Sequence, residues 1–203
     1  MKSNKVFEEI RLTVVGDWIP PQLVGALALQ RAEVPEVPVR LTEAQLVGEE
    51  PNLVLSTSNR IPPGQSKEAI WFDTLGVALA KRSHLLAYPE VPCSEISPQQ
   101  VIHAQGIIDA KEPWPAEMRR LFLIAQETSE PAAPTFDLAM TLVAAGYGIA
   151  IAPMTRLFHY ERHGLTVRPL QGKPSVVLAY LCYPLRPLSE VETQFVRRLG
   201  SAA

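Results

Sequence analysis

Polar side chains gather at the ends of the short apolar runs in this sequence, and their chemistry is that of reversible hydrogen bonding. Thr42 and Glu43 close the run that begins at Pro38, and Ser56 and Thr57 close the run that begins at Leu53. His103 and Gln105 stand at the end of Gln100–Ala104, and Gln126 and Thr128 at the end of Leu121–Gln126. Hydroxyls, amides and an imidazole at such places can each donate to or accept from a small ligand. Each also has a plainer reading. Ser and Thr populate loops by bonding their own backbone, and a single histidine can serve a structural network. Phe136, which opens an apolar-periodic segment, is either the wall of a ligand site or core.

Covalent and metal chemistry have no comparable footing. The sequence holds no Gly-x-Ser-x-Gly elbow, no P-loop and no His-Glu-x-x-His. Asp109, Glu112, Glu127 and Asp137 are scattered with no spacing that pairs them. The four histidines show no ligand spacing, since His159 and His163, although one helical turn apart, fall in a charged stretch. Gly146-Tyr147-Gly148 is not a dinucleotide fingerprint, because it ends a helix and precedes a strand, the reverse of the required order. No catalytic residue, metal or cofactor is expected. Cys93 and Cys182, the only two cysteines, make neither a disulfide framework nor a metal pattern.

The elements that must position these residues read as alternating strands and helices. Ile10–Val15 is a β-branched strand, followed by a helix over Ile19–Arg31 with Pro20 and Pro21 in its first turn and Asp17 as its N-cap. Strands at Pro38–Thr42 and Leu53–Ser56 flank a stub of helix over Glu43–Glu50, and Asn59–Lys67 reads as a loop. Ile70–Ala80 is extended, Gln100–Ala104 and Leu121–Gln126 are strands, and Ala116–Arg120 is a short helix. Thr135 caps a helix running to Ala145, Gly146 ends it, and Ile149–Ala152 is a buried strand closed by Pro153. Leu165–Pro169 and Ser175–Cys182 are extended, and Ser189–Leu199 is an amphipathic helix with Val191, Phe195, Val196 and Leu199 inward. Such an order with short connections implies a parallel sheet covered by helices.

At 203 residues with 47% hydrophobic and 20% charged content, the chain can build one large or two small globular cores. Its net charge of −2 is spread along the length, so no segment forms a nucleic-acid surface by itself. The first nine residues are polar, no apolar run reaches membrane length, and a cytoplasmic location with no membrane partner is expected.

Taken in order, these pieces resemble the effector-binding domain of LysR-type transcriptional regulators. The resemblance is carried by Ile10–Val15 with the helix after it, by Pro35-Glu36-Val37-Pro38-Val39-Arg40-Leu41-Thr42-Glu43, and by Asn52–Leu55. It continues through Leu75–Leu86, Leu165–Leu170 and, most closely, Leu142–Pro153. It implies an α/β fold of two Rossmann-like subdomains joined by two crossover strands, of the type II periplasmic-binding-protein kind. Subdomain I would be residues 1–76 plus 169–203, and subdomain II residues 77–168. The crossovers would lie at Leu75–Leu86 and Leu165–Leu170. A small-molecule effector would sit in the cleft between the subdomains and act through dimer geometry on DNA binding.

Effector contacts implied on this chain are Gly16, Asp17, Trp18, Thr42, Glu43, Ser56, Thr57, His103, Gln105, Gln126, Thr128 and Phe136. Asp17 could equally cap the following helix, with Trp18 packing beside it; as a contact, its charge would favour a neutral or cationic effector. The helices at Pro20–Arg31 and Thr135–Ala145 would pair across a two-fold, giving a homodimer or higher oligomer. The family's N-terminal winged helix-turn-helix is absent from the sequence, so DNA would be reached only through that missing part. Two other readings stay open. One is a stand-alone cytoplasmic solute-binding protein or enzyme on the same bilobal fold. The other is a domain that dimerises with a full regulator and blocks it.

Overall fold

The computed structural model describes residues 9–15, 18–43, 53–57, 64–102, 104, 133–172 and 176–201. The expected helices at Glu43–Glu50 and Ala116–Arg120, and the strand at Leu121–Gln126, lie outside these residues, apart from Glu43. The chain divides into two compact units, Met1–Trp71 with Leu178–Ala203, and Phe72–Val177.

In the first unit, β1 (Ile10–Val15) lies between β2 (Val39–Glu43) and β3 (Leu53–Ser56) and runs parallel to both. β7 (Val176–Pro184) is antiparallel to β3, with β4 (Gln65–Ala80) on its other side. The sheet is therefore mixed rather than parallel throughout. β4 begins five residues earlier than the sequence suggests. The Gly64 carbonyl accepts from Leu185 N–H at 3.1 Å, and the Lys67 ammonium lies 4.1 Å above the Tyr180 ring. Pairing with β7 overrides the loop-like composition there.

Helix α1 (Gln22–Glu33) starts after both prolines rather than at Ile19, and Pro21, at φ −62°, is its N-cap in place of Asp17. Pro20 and Pro21 lack an N–H and have φ preset for helix entry, so their carbonyls take the N–H groups of Leu23 and Val24 at 3.1 Å each. Leu23, Ala26 and Gln30 form its buried face.

The terminal helix α5 (Glu190–Ser201) packs against α1, and Arg198 bonds Glu33 at 2.8 Å and the Gln30 amide oxygen at 2.9 Å. Its buried face is Glu192, Phe195 and Leu199, whereas Val191 and Val196 are only half-buried.

A carboxylate can lie on that face because it is fully engaged. Glu192 accepts from Ser189 N–H at 2.8 Å, the Ser189 hydroxyl accepts from Glu192 N–H at 3.2 Å, and Arg186 clamps the carboxylate at 2.8 and 2.9 Å. This is a capping box reinforced by a guanidinium fork. The Arg186 bond holds the Glu192 carboxyl below its ordinary value, against the opposing effect of burial. A depressed folded value means that the ionised form stabilises the helix above the unfolded value. That stabilisation is lost as pH falls through the folded one. Glu192→Gln should therefore destabilise the chain at neutral pH and flatten the loss of stability on acidification. Urea unfolding at pH 7 and pH 4 reads both, and an unchanged acid limb would refute the assignment.

In the second unit, the later half of β4 is flanked by β5 (Ala150–Pro153) and β6 (Leu165–Pro169), both antiparallel to it. Alternation along these strands feeds two cores. Ala78, Ala150, Ala152 and Val167 face Met140 and Val143 of helix α3 (Phe136–Ala144). Val77, Leu79, Ile149 and Ile151 pack with Leu85 and Ile96, from a short 3-10 turn and from helix α2 (Cys93–Ile96). Thr135 caps α3, its hydroxyl accepting from Leu138 N–H at 3.3 Å. Helix α4 (Met154–Phe158) follows β5 directly.

Among the described residues of Gln100–Ala104, single bridges join Val101 to Ile149 and Ala104 to Ala133 in place of the expected strand. The chain passes from the first unit to the second within β4 and returns within β7. β6, whose residues the resemblance places at the second crossover, stays inside the second unit beside β4.

Candidate functional site

The register of β1, β2 and β3 brings their carboxyl ends level. Val14 is opposite Glu43, and Val15 opposite Ser56. One residue back, Thr13 is opposite Thr42, and their hydroxyl oxygens are 2.8 Å apart in a hydrogen bond. Residues two apart in a strand share a face, so Thr13, Thr42 and Ser56 lie on one face of this parallel trio. Thr13 and Ser56 are buried, and Thr57, just beyond, is half-buried. Trp18, after β1, is buried as well.

Of the residues singled out from the sequence, the structure thus brings Thr42, Glu43 and Ser56 to one sheet end, with Thr57 after them. Gly16, Asp17, His103, Gln105, Gln126 and Thr128 lie outside the described residues.

Phe136 belongs to the second unit and to its core. It is 8% exposed, its ring lies under the Arg156 guanidinium at 3.6 Å, and it meets Tyr160 edge-on at 5.4 Å. Tyr160 in turn donates its hydroxyl to the Asp137 carboxylate. Burial first, then this bond and the Asp137 charge, push the phenol up to about 12. The cluster ties α3 to α4 and the segment after it, and nothing in the local pattern around Phe136 points to Arg156 or Tyr160 as its partners.

Two further residues escaped the sequence reading. Thr13 could be paired with Thr42 only once the register was known. Asp73 is a buried acid close to Ile70, Trp71, Phe72 and Leu75 in β4. Its carboxylate accepts from Thr155 N–H at 3.0 Å, from the Thr155 hydroxyl at 2.6 Å and from Thr74 N–H at 2.7 Å. The signal was there to find, because an Asp between Phe72 and Leu75 needs partners to be buried.

These bonds decide the electrostatics of the helix starts, which would otherwise attract anions. α1 opens on two prolines whose carbonyls take its next donors. α3 is capped by Thr135 and carries Asp137 in its first turn. α4 has Asp73 at its start, and α5 has Ser189 and Glu192. All four helices of five or more residues among those described have their N-termini closed by the chain's own groups. What the strand ends offer is hydroxyls.

The sequence matches, over residues 4–203, the family described as the LysR substrate binding domain. No curated protein matches it. Among solved structures, it resembles the BenM effector binding domain with its effector benzoate at 16% identity and TM-score 0.75, covering 96% of this chain and 91% of that one. A reduced form of OxyR from N. meningitidis matches at 16% identity and TM-score 0.74, over 96% of this chain and 95% of that one. Full-length CbnR complexed with its target DNA matches at 16% identity and TM-score 0.75, over 97% of this chain and 71% of that one. At such identity these likenesses are likenesses of fold.

Proposed function

The chain belongs to the LysR substrate binding domain family, with the α/β, type II periplasmic-binding-protein-like fold of its structural neighbours, and we propose that it senses a small neutral polar effector. The observation that carries this is the hydroxyl set Thr13, Thr42 and Ser56 at level strand ends, together with helix N-termini that the chain closes itself. Strand ends are where open α/β sheets collect ligands. Hydroxyls there suit a ligand of hydroxyl, amide or ring-nitrogen groups. The benzoate of the BenM neighbour is an anion, and a closed helix start has little to offer one. Trp18, Glu43 and Thr57 border the same strand ends, and Gly16, Asp17, His103, Gln105, Gln126 and Thr128 are proposed to complete the contacts. Phe136 supports the site from the core.

Effector binding would act on transcription through a DNA reader outside this sequence, in the cytoplasm, with no catalysis by this chain. Among the described residues no helix is long and apolar enough to cross a membrane.

A thermal-shift series of sugars, polyols and nucleosides against small carboxylates tests the reading. A neutral ligand at a hundred times its Kd should add about 2.7 kcal/mol of stability. Thr42→Val, which removes one hydroxyl and leaves Thr13 without its partner, should abolish that shift. Stabilisation by carboxylates alone would overturn the neutral-ligand reading.

The second part of the proposal is a two-fold homodimer. α1 leaves Val24 70% exposed and Leu29 exposed beside small residues, and α3 leaves Leu138 48% exposed. Apolar rows on two helices that already bury another face are interface material. Light scattering should give a dimer at micromolar concentration, and Val24→Glu should shift it to monomer. A wild-type monomer at high concentration would refute the arrangement.

A further inference from the structure

We propose that one end of the second unit is a docking site for an acidic protein segment carrying an apolar anchor. The site is independent of the effector reading. Antiparallel pairing ends with Ala80 opposite Leu165, so the turns that leave β4 and enter β6 stand side by side. Both turns are tight: Ser83 N–H bonds Ala80 O at 2.9 Å, and His163 N–H bonds Tyr160 O at 2.9 Å. The first turn presents Lys81 and Arg82, with His84 after them, and the second presents Arg162 and His163, all exposed. Adjacent strands run roughly 5 Å apart, so the two turns bring the cations Lys81, Arg82 and Arg162 to one end of the unit.

Several cations elsewhere on the described surface are engaged; Arg31, Arg40 and Arg197 are exposed like these three, which are set apart by their placement on two adjacent turns. Arg11 pairs with Glu9, Arg186 with Glu192, and Arg198 with Glu33, while Lys67 and Arg156 cover aromatic rings. Lys81, Arg82 and Arg162 have no such partner among the described residues. They stand together on a chain whose net charge is −2.

Two features favour an acidic protein segment over the phosphates of DNA. Phe158, the last residue of α4 and the entry to the second turn, is 49% exposed, and a phosphate backbone offers it nothing. Glu161 lies within the same turn and would repel a continuous line of phosphates, yet a protein segment can match it with a donor. Arginine clusters beside an apolar contact are a recurring way to hold acidic motifs.

The test uses the whole chain and two fluorescent probes, a short peptide alternating Asp with Leu and a random-sequence duplex DNA. The peptide should bind saturably, and Lys81→Glu/Arg82→Glu should weaken it by about tenfold or more, as expected for several charge contacts. Phe158→Ser should weaken it by a smaller factor, and a peptide of Asp and Ser should bind less well than that of Asp and Leu. Arg40→Glu/Arg197→Glu, the same change of net charge placed in the first unit, should leave the affinity unchanged. These side chains are exposed, so the melting temperatures of all variants should match the wild type. Equal weakening by the control pair, tighter binding of the duplex than of the peptide, or no saturable binding each overturns the proposal.

Discussion

Asp73→Ala is expected to cost the second unit about 3 kcal/mol of stability, since it strips a buried carboxylate from three donors at once. The donors are Thr155 N–H, the Thr155 hydroxyl and Thr74 N–H, at 3.0, 2.6 and 2.7 Å. Two of them belong to the first turn of α4, a helix of five residues with no side-chain cap on Pro153, its own N-cap residue. So short a helix has little stability of its own. It depends on Leu157, which is fully buried, and on the Asp73 carboxylate reaching it from β4. The loss therefore falls on the backbone donors of Thr155 and Thr74 that the carboxylate takes.

Asp73→Asn keeps one acceptor oxygen but presents an NH₂ to the remaining donors, so an intermediate loss is expected. Thr155→Val removes only the hydroxyl and should cost about 1 kcal/mol. The double variant Asp73→Ala/Thr155→Val should lose less than the sum, because the two groups share one bond. Urea unfolding followed by circular dichroism gives the four values. Additive losses would mean that the carboxylate and the hydroxyl act separately, and the staple between β4 and α4 would be disproved.

Local signals were enough for elements whose boundaries are set by their own residues. β1, β3 and β6 begin and end where the sequence reading placed them. Each is a β-branched or apolar run bounded by punctuation, such as Gly164 before β6 and Pro169 at its close. Thr135 caps α3 for the same local reason.

Errors occurred where a distant strand or side chain decides. β4 extends back to Gln65 because β7 pairs with it, and the described residues of Gln100–Ala104 form single bridges. α5 turns Glu192 inward in place of Val191, because Arg186 and Ser189 satisfy the carboxylate there. An apolar count along the helix cannot see that compensation.

The candidate site divides in the same way. Strand-end residues such as Thr42 and Ser56 stand out from their position alone. Thr13 lies inside a strand, and its bond to Thr42 exists only in the parallel register. The closure of a helix start can come from far along the chain, most plainly at α4, where the capping carboxylate is 82 residues away.

The two glycines of Leu142–Pro153 should separate in the laboratory, although they stand two residues apart. Gly146 has φ +86°, and a methyl group placed there meets nothing within 4 Å. Gly146→Ala is thus charged only for the left-handed backbone, about 1–2 kcal/mol. Gly148 has an ordinary backbone but no room: a Cβ would overlap the Gln100 carbonyl oxygen and lie 3.1 Å from its carbon and 3.2 Å from Ile102 Cγ1. That carbonyl accepts from Ile149 N–H at 2.9 Å, and Ile149 O accepts from Ile102 N–H at 2.7 Å. A methyl at Gly148 must push the Gln100–Ile102 segment away from the start of β5, straining both bonds and the packing of Val101 against Ile149.

Gly148→Ala should therefore cost more, about 2–4 kcal/mol, from overpacking plus weakened backbone bonds. Its signature should be local as well as global. Amide hydrogen exchange at Ile102 and Ile149 should accelerate in Gly148→Ala and stay protected in Gly146→Ala, relative to the global opening of each variant. Equal costs and equal exchange would mean that the Gln100 strand segment yields freely. The second glycine would then serve the turn alone.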